Sequence, residues 1–179
     1  RYPVLTGIDL DYRVTPTQLK QNLIISEAPQ LADHQKESGY FGIAETMYLP
    51  TGYALFLGES PIAKGVLVKT NQSLAIRSLE TGDVLVTIPQ PIVESVDPSD
   101  EGTHIGEYVI RVDGEQVMLI TVVENSWILD ADNRTFPIVI DPTLDKGAQR
   151  AGYAYYYRIV RWGWYTSTYE YAFGTTSLI

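Results

Sequence analysis

Residues able to exchange protons, hold cations or present flat rings are few in this chain and unevenly placed. Histidine occurs twice, at His34 and His104, and cysteine not at all. Thiol catalysis, disulfides and cysteine-ligated metals are thereby excluded. A serine hydrolase would need a serine held by one of the two imidazoles. No G-x-S-x-G elbow occurs, and Ser60 in GESPIAKG has no recognisable base beside it. The expectation is a protein that is not an enzyme, with a hydrolase-associated domain as a minor alternative.

Two acidic stretches have the composition of cation-binding loops. DPSDEG carries Asp97, Asp100 and Glu101; LDADNRT carries Asp130, Asp132 and Asn133, with Asp141 further along. Calcium takes about six to eight oxygens, and carboxylates crowded into loops between strands can supply them. Neither stretch follows the EF-hand spacing, and short acids in turns also cap backbone groups. Solvated turn acids are the expected reading, and calcium is the one cofactor worth testing.

The third chemical resource is aromatic. GYAYYYRIVRWGWYTSTYEYAFG, from Gly152 to Gly174, holds seven of the thirteen tyrosines and two of the three tryptophans. Side chains alternate between the faces of a strand. On the first strand Tyr153, Tyr155, Tyr157 and Ile159 share a face, and Tyr156, Arg158, Val160 and Trp162 share the other. On the second, Tyr165, Tyr169, Tyr171 and Phe173 lie opposite Thr166, Thr168 and Glu170. A nearly all-aromatic face is the pattern of a buried sheet face. That leaves Tyr156, Arg158, Trp162 and Trp164 as candidates for stacking a sugar ring or docking another copy of the chain. A two-stranded ribbon is marginal alone in water, so this run needs a further β-partner.

The elements that must position these residues are strands. Period-two alternation and turn dipeptides dominate, and helical patterns are nearly absent. EYVIRV and EQVMLITVV flank Asp113-Gly114, the strongest short hairpin signal. SLAIRSLE and VLVTI around Thr81-Gly82-Asp83, and IAETMYL and YALFL around Pro50-Thr51-Gly52, are read as two more hairpins. IDLDYRV, LKQNLII, GVLVKT and FPIVI add strands, LKQNLII being preferred as strand over a helix capped at Thr15-Pro16-Thr17. The segment 28–38, APQLADHQKES, is unpatterned and reads as loop. The predicted fold is all-β: a β-sandwich-like domain of short antiparallel strands over 1–142, a linker over 143–151, and an aromatic β-hairpin over 152–179 that opens a second β unit or serves as an assembly strand.

Charge divides along the same boundary. Residues 1–142 hold 9 Lys and Arg against 20 Asp and Glu, a net of −11, while 143–179 hold 4 against 2, a net of +2. An acidic body argues against nucleic acid as a partner. An acidic body meeting a basic tail between copies would make association salt-sensitive. No apolar run approaches the roughly 18 residues of a membrane span. The chain opens on Arg1, as expected of a processed or excised polypeptide. Asn71 and Asn133 head N-glycosylation sequons in predicted turns, a feature compatible with a cell-surface or extracellular glycoprotein.

Two stretches resemble a β-rich module of large secreted and cell-surface proteins of bacteria and archaea. The opening Tyr2-Pro3 followed by GIDLDYRVTPTQLKQNLII is similar to that module's start, with Val4-Leu5-Thr6 as an insertion. The closing Trp127-Ile128-Leu129 and RTFPIVIDPT, Arg134 to Thr143, is similar to its end, and IPQPIVESVD, Ile88 to Asp97, to its middle. The resemblance implies a non-catalytic spacer, with the tyrosine run as the first strands of a following DNRLRE-like β-sandwich domain. It brings no catalytic residues. The expected role is structural: a module of a surface protein, or a self-associating filament or sheath subunit held by β-strand and aromatic contacts. The alternative is a carbohydrate-binding module.

Overall fold

Alternation of buried and less buried side chains is plainest over Tyr40–Tyr48 and Glu107–Asp113 in the computed structural model, which describes residues 2–14, 18–30, 39–95, 103–130, 134–141, 144–146, 154–162 and 165–173. In chain order the strands are β1 (Tyr2–Leu5), β2 (Ile8–Val14), β3 (Gln18–Ile25), β4 (Tyr40–Tyr48), β5 (Tyr53–Leu57), β6 (Ser60–Pro61), β7 (Leu67–Thr70), β8 (Leu74–Ser78), β9 (Val84–Ile88), β10 (Ile92–Ser95), β11 (His104–Ile105), β12 (Glu107–Asp113), β13 (Gln116–Glu124), β14 (Ile138–Asp141), β15 (Leu144–Lys146), β16 (Ala154–Trp162) and β17 (Tyr165–Phe173). A one-turn helix, α1 (Asn125–Ile128), follows β13. The molecule is all-β and sandwich-like.

Three sheets carry these strands. The largest runs β11-β10-β14-β3-β15-β9-β8-β5-β6, with β2 and β1 branching from β3. The second runs β4-β13-β12-β7, and β16 pairs with β17 in the third. The first two face each other, because each core cluster takes residues from both. One cluster joins Leu10, Leu23, Ile25 and Ile140 to Phe41, Ile43 and Val123; the other joins Leu55, Leu74 and Ile88 to Met47, Ile110 and Leu119. Burying each such side chain contributes about 1.5–3 kcal/mol.

Along β4 the buried positions are Phe41, Ile43, Glu45 and Met47, with Gly42, Ala44 and Thr46 on the other face. Glu45 thus separates the residues of the two clusters, and on β13 Thr121 stands between Leu119 and Val123 in the same way. Gln21, at 3% exposure, precedes Leu23 on β3 in the opposite sheet. The apolar interior is therefore two clusters, with buried polar residues where β4 and β13 pass from one to the other. Tyr108 is fully buried and its hydroxyl donates to the Pro89 carbonyl at 2.7 Å. Burial, with the Glu45 and Asp141 carboxylates adding, pushes its phenol well above the ordinary value.

Two of the three expected hairpins form. β12 pairs with β13 around Gly114, whose φ of 68° is the left-handed conformation this turn requires, and β8 pairs with β9. LKQNLII is strand, as expected. The third hairpin does not form: β4 pairs with β13, and β5 pairs with β8 and β6 in the other sheet. Pro50-Thr51-Gly52 does turn the chain, with the Tyr53 N–H donating to the Pro50 carbonyl at 3.1 Å. The Leu79 N–H then holds the Gly52 carbonyl at 2.8 Å, so the turn carries the chain across the sandwich. Within the stretch read as a linker, Leu144–Lys146 is strand β15, pairing with β3 on one side and β9 on the other.

Gly42 marks the tightest backbone approach. A Cβ there would lie 2.0 Å from the Thr121 carbonyl oxygen, and one at Gly106 2.6 Å from that of Val122. Neither obstacle is a side chain that can swing away. Gly42→Ala is therefore expected to destabilise the body by about 1–3 kcal/mol through forced backbone displacement. Urea unfolding of the two proteins measures it; an unchanged midpoint would refute the close approach.

Candidate functional site

The described residues bring together one constellation of chemical side chains that spacing did not announce. Ile128 is fully buried in a core cluster, and the Asn125 N–H donates to the Gly39 carbonyl at 2.9 Å. These contacts seat the single turn of α1 and leave Trp127 half-buried at the surface. The His104 ring stacks on Trp127 with centroids 4.8 Å apart and planes 17° apart. The Arg134 guanidinium lies 4.3 Å from the centroid of the same indole. Burial holds the His104 imidazole below its usual range; nearby Arg134 acts the same way, and Glu124 opposes both. At neutral pH His104 is therefore a neutral ring in a stack, and a cation–π contact with Arg134 completes the group.

Ser60 and His104 do not meet, since they lie on β6 and β11, the two ends of the eleven-stranded sheet. His34 falls outside the described residues, as do Asp97, Asp100, Glu101, Asp132 and Asn133. Asp130 is half-buried beyond α1. Ser95, which ends β10, donates its hydroxyl to the Thr135 carbonyl at 2.7 Å. Among the described residues no group of three or more His, Asp or Glu side chains is placed to hold a metal. Asn71 is exposed between β7 and β8.

A second surface feature crosses the four-stranded sheet. Tyr40 on β4 and Lys69 on β7 have two strands between them, yet the Lys69 ammonium donates to the Tyr40 hydroxyl at 2.6 Å and also pairs with Glu107. Three strand spacings are about 14 Å, so two long side chains must lean toward each other across the sheet. Between their strands runs the cross-strand row Gly42, Val122 and Glu107, in which Gly42 adds no side chain. Hydrogen bonds that the ammonium donates to Glu107 and then to Tyr40 raise the Lys69 pKa, so it stays charged. Elsewhere this face carries Ala44, Val109, Met118 and Ile120, all half-buried.

The aromatic run forms the expected pair of strands, and its register redistributes the rings. Tyr156 opposes Tyr171, Arg158 opposes Tyr169, and Trp162 opposes Tyr165. Directly opposed residues share a face. The aromatic positions of β17 therefore fall on the face of Tyr156, Arg158 and Trp162, and Tyr155 and Tyr157 fall on the reverse. The all-aromatic faces of the two strands do not coincide. Trp164, the fourth candidate, lies outside the described residues. β16 runs alongside β4.

The depressed His104 value has a checkable sign. Its neutral form is favoured in the folded chain, so stability from this group is full above the ordinary 6.5 and lost as pH falls below it. Proton NMR of the His104 ring should give a midpoint below 6.5, raised by Arg134→Ala and lowered further by Glu124→Gln. A midpoint indifferent to both would remove these charges from its surroundings. No family model, curated protein or solved structure matches this chain.

Proposed function

We propose that the chain is a non-enzymatic structural module of a cell-surface or extracellular protein that associates with other copies of itself through β-strand and aromatic contacts. The observation that carries the reading is the separate sheet of β16 and β17. Among the described strands these two, nine residues each and dense in tyrosine, pair only with each other; β16 runs along β4 without joining its sheet, beside a body that already has two cores of its own. A two-stranded ribbon is marginal in water, and the outer edge of β17 gains from a neighbour. The resemblance of the opening and closing segments to spacer modules of surface proteins supports the same role, and the exposed Asn71 sequon is compatible with it.

Sedimentation of the purified chain across a hundredfold range of concentration, chosen as about two decades in affinity, should show association. Deleting 152–179 should abolish it while leaving the body folded by circular dichroism. A chain monodisperse throughout, with or without the tail, would end the reading.

One observation favours a second reading, carbohydrate binding: the register gathers Tyr156, Trp162, Tyr165, Tyr169 and Tyr171 with Arg158 on one face. Sugar rings stack on such faces while a guanidinium donates to their hydroxyls. A glycan array on which signal disappears with Trp162→Ala would support it, and silence across diverse glycans would remove it.

A further inference from the structure

Terminal strands of a sheet offer main-chain donors and acceptors to another chain, and proteins blunt them by shortness, proline or lysine. The ends of the large sheet, β11 and β6, have two residues each, and β6 contains Pro61. Its side branch ends in β1, four residues that include Pro3. In the four-stranded sheet β7 is four residues with Lys69, and β4, at nine residues, has β16 running alongside. Both strands of the third sheet are terminal: β16, nine residues without proline or lysine, runs along β4, and β17 has nine residues, YTSTYEYAF, with neither proline nor lysine and a single charge at Glu170. Among the described strands β17 is the long edge with none of these devices and with no strand but β16 running alongside it.

We propose that β17 is an assembly edge whose partner is β17 of a second copy, paired antiparallel about a two-fold axis at Tyr169; this rests on the self-association reading above. The strand is close to self-complementary in that register. Tyr165 falls opposite Phe173 of the second copy, Ser167 opposite Tyr171, and Tyr169 opposite itself. Aromatic cross-strand pairs stabilise an antiparallel ladder, and like charges directly opposed destabilise it. Here Glu170 meets Thr168, so no like charges oppose each other. The pairing continues the β16–β17 sheet through the axis into four strands at least, and a two-fold contact of this kind is closed.

Charge selects the same part of the molecule. Two bodies of net −11 repel, whereas each hairpin sets Arg158 and Arg161 against Glu170, a net of +1. Contact through β17 brings the nearly neutral elements together. Such a dimer tightens or holds as salt screens the bodies, whereas docking of a basic tail on an acidic body loosens.

The absence of cysteine allows a direct test in the full chain. Single cysteines placed in turn at Ser167, Thr168, Tyr169, Glu170 and Tyr171 are oxidised and run without reductant. A disulfide dimer peaking at Tyr169→Cys is expected, because only the residue on the axis opposes itself. Thr168→Glu, which opposes Glu170 of the other copy twice per dimer, should weaken dimerisation about tenfold in sedimentation, and wild-type affinity should not fall as salt rises. Association that persists with no cross-link at any of the five positions, or that loosens with salt, overturns this pairing and leaves self-association standing. A chain that never associates removes both.

Discussion

The body depends on one ladder, the nine-residue pairing of β4 with β13, because its buried faces run beneath both cores. Phe41, Ile43 and Val123 serve one cluster, and Met47, Val117 and Leu119 the other. In the opposite sheet the corresponding halves, β14-β3 and β9-β8, are joined by the three residues of β15. The long ladder thus holds in one piece what the short strands opposite only stitch together. A slip of one residue would turn Ala44 and Thr46 inward and expose both apolar rows, so burial on one face specifies the register strongly. The approach of Gly42 to the Thr121 carbonyl adds a steric restraint at the same point, since only a residue without Cβ fits.

How far this architecture was legible follows from the range of each signal. Alternation is local, and β2, β3, β4, β12, β13 and β14 were all readable from it. Asp113-Gly114 specifies a tight turn whose twist suits antiparallel neighbours, so that hairpin was readable too. Pro50-Thr51-Gly52 announced a turn equally well but not the sheet that the next strand would join. β4 finds its partner in β13, far along the chain, and no local pattern encodes such pairing. β15 was missed because three residues carry no period, and α1 because a single turn is too short to display one. The Trp127 group was invisible for a similar reason: His104, Trp127 and Arg134 come from β11, α1 and the approach to β14, and only the folded ends of these elements bring them together.

The hairpin shows a subtler limit. Alternation divides each strand into two faces, but which face of β16 coincides with which face of β17 depends on the parity of the loop between them. Pairing of Trp162 with Tyr165 fixes that parity. Six aromatic positions, Tyr156, Trp162, Tyr165, Tyr169, Tyr171 and Phe173, then share a face with Arg158, while Tyr155, Tyr157 and Ile159 occupy the reverse. A ribbon with one apolar face can lie on a core and leave the other in water. A ribbon with rings on both is better suited to being covered on both sides.

That distinction bears on how the proposed surface role is divided along the chain. The body has the features that keep a β-protein apart from its copies: net charge of −11, short terminal strands, proline in β1 and β6, and Lys69 on β7. Its charge repels over roughly a Debye length, about 8–10 Å at ordinary salt, farther than the reach of a strand-edge hydrogen bond. The hairpin has the opposite set: long strands, rings on both faces, little net charge and no lysine or proline on its outer strand. Had the seven tyrosines of the run been dispersed over the body as the other six are, self-repulsion would oppose every intermolecular contact they made. With seven of the thirteen tyrosines in one nearly neutral run, the proposed role would combine a body resistant to aggregation with one segment suited to specific strand pairing.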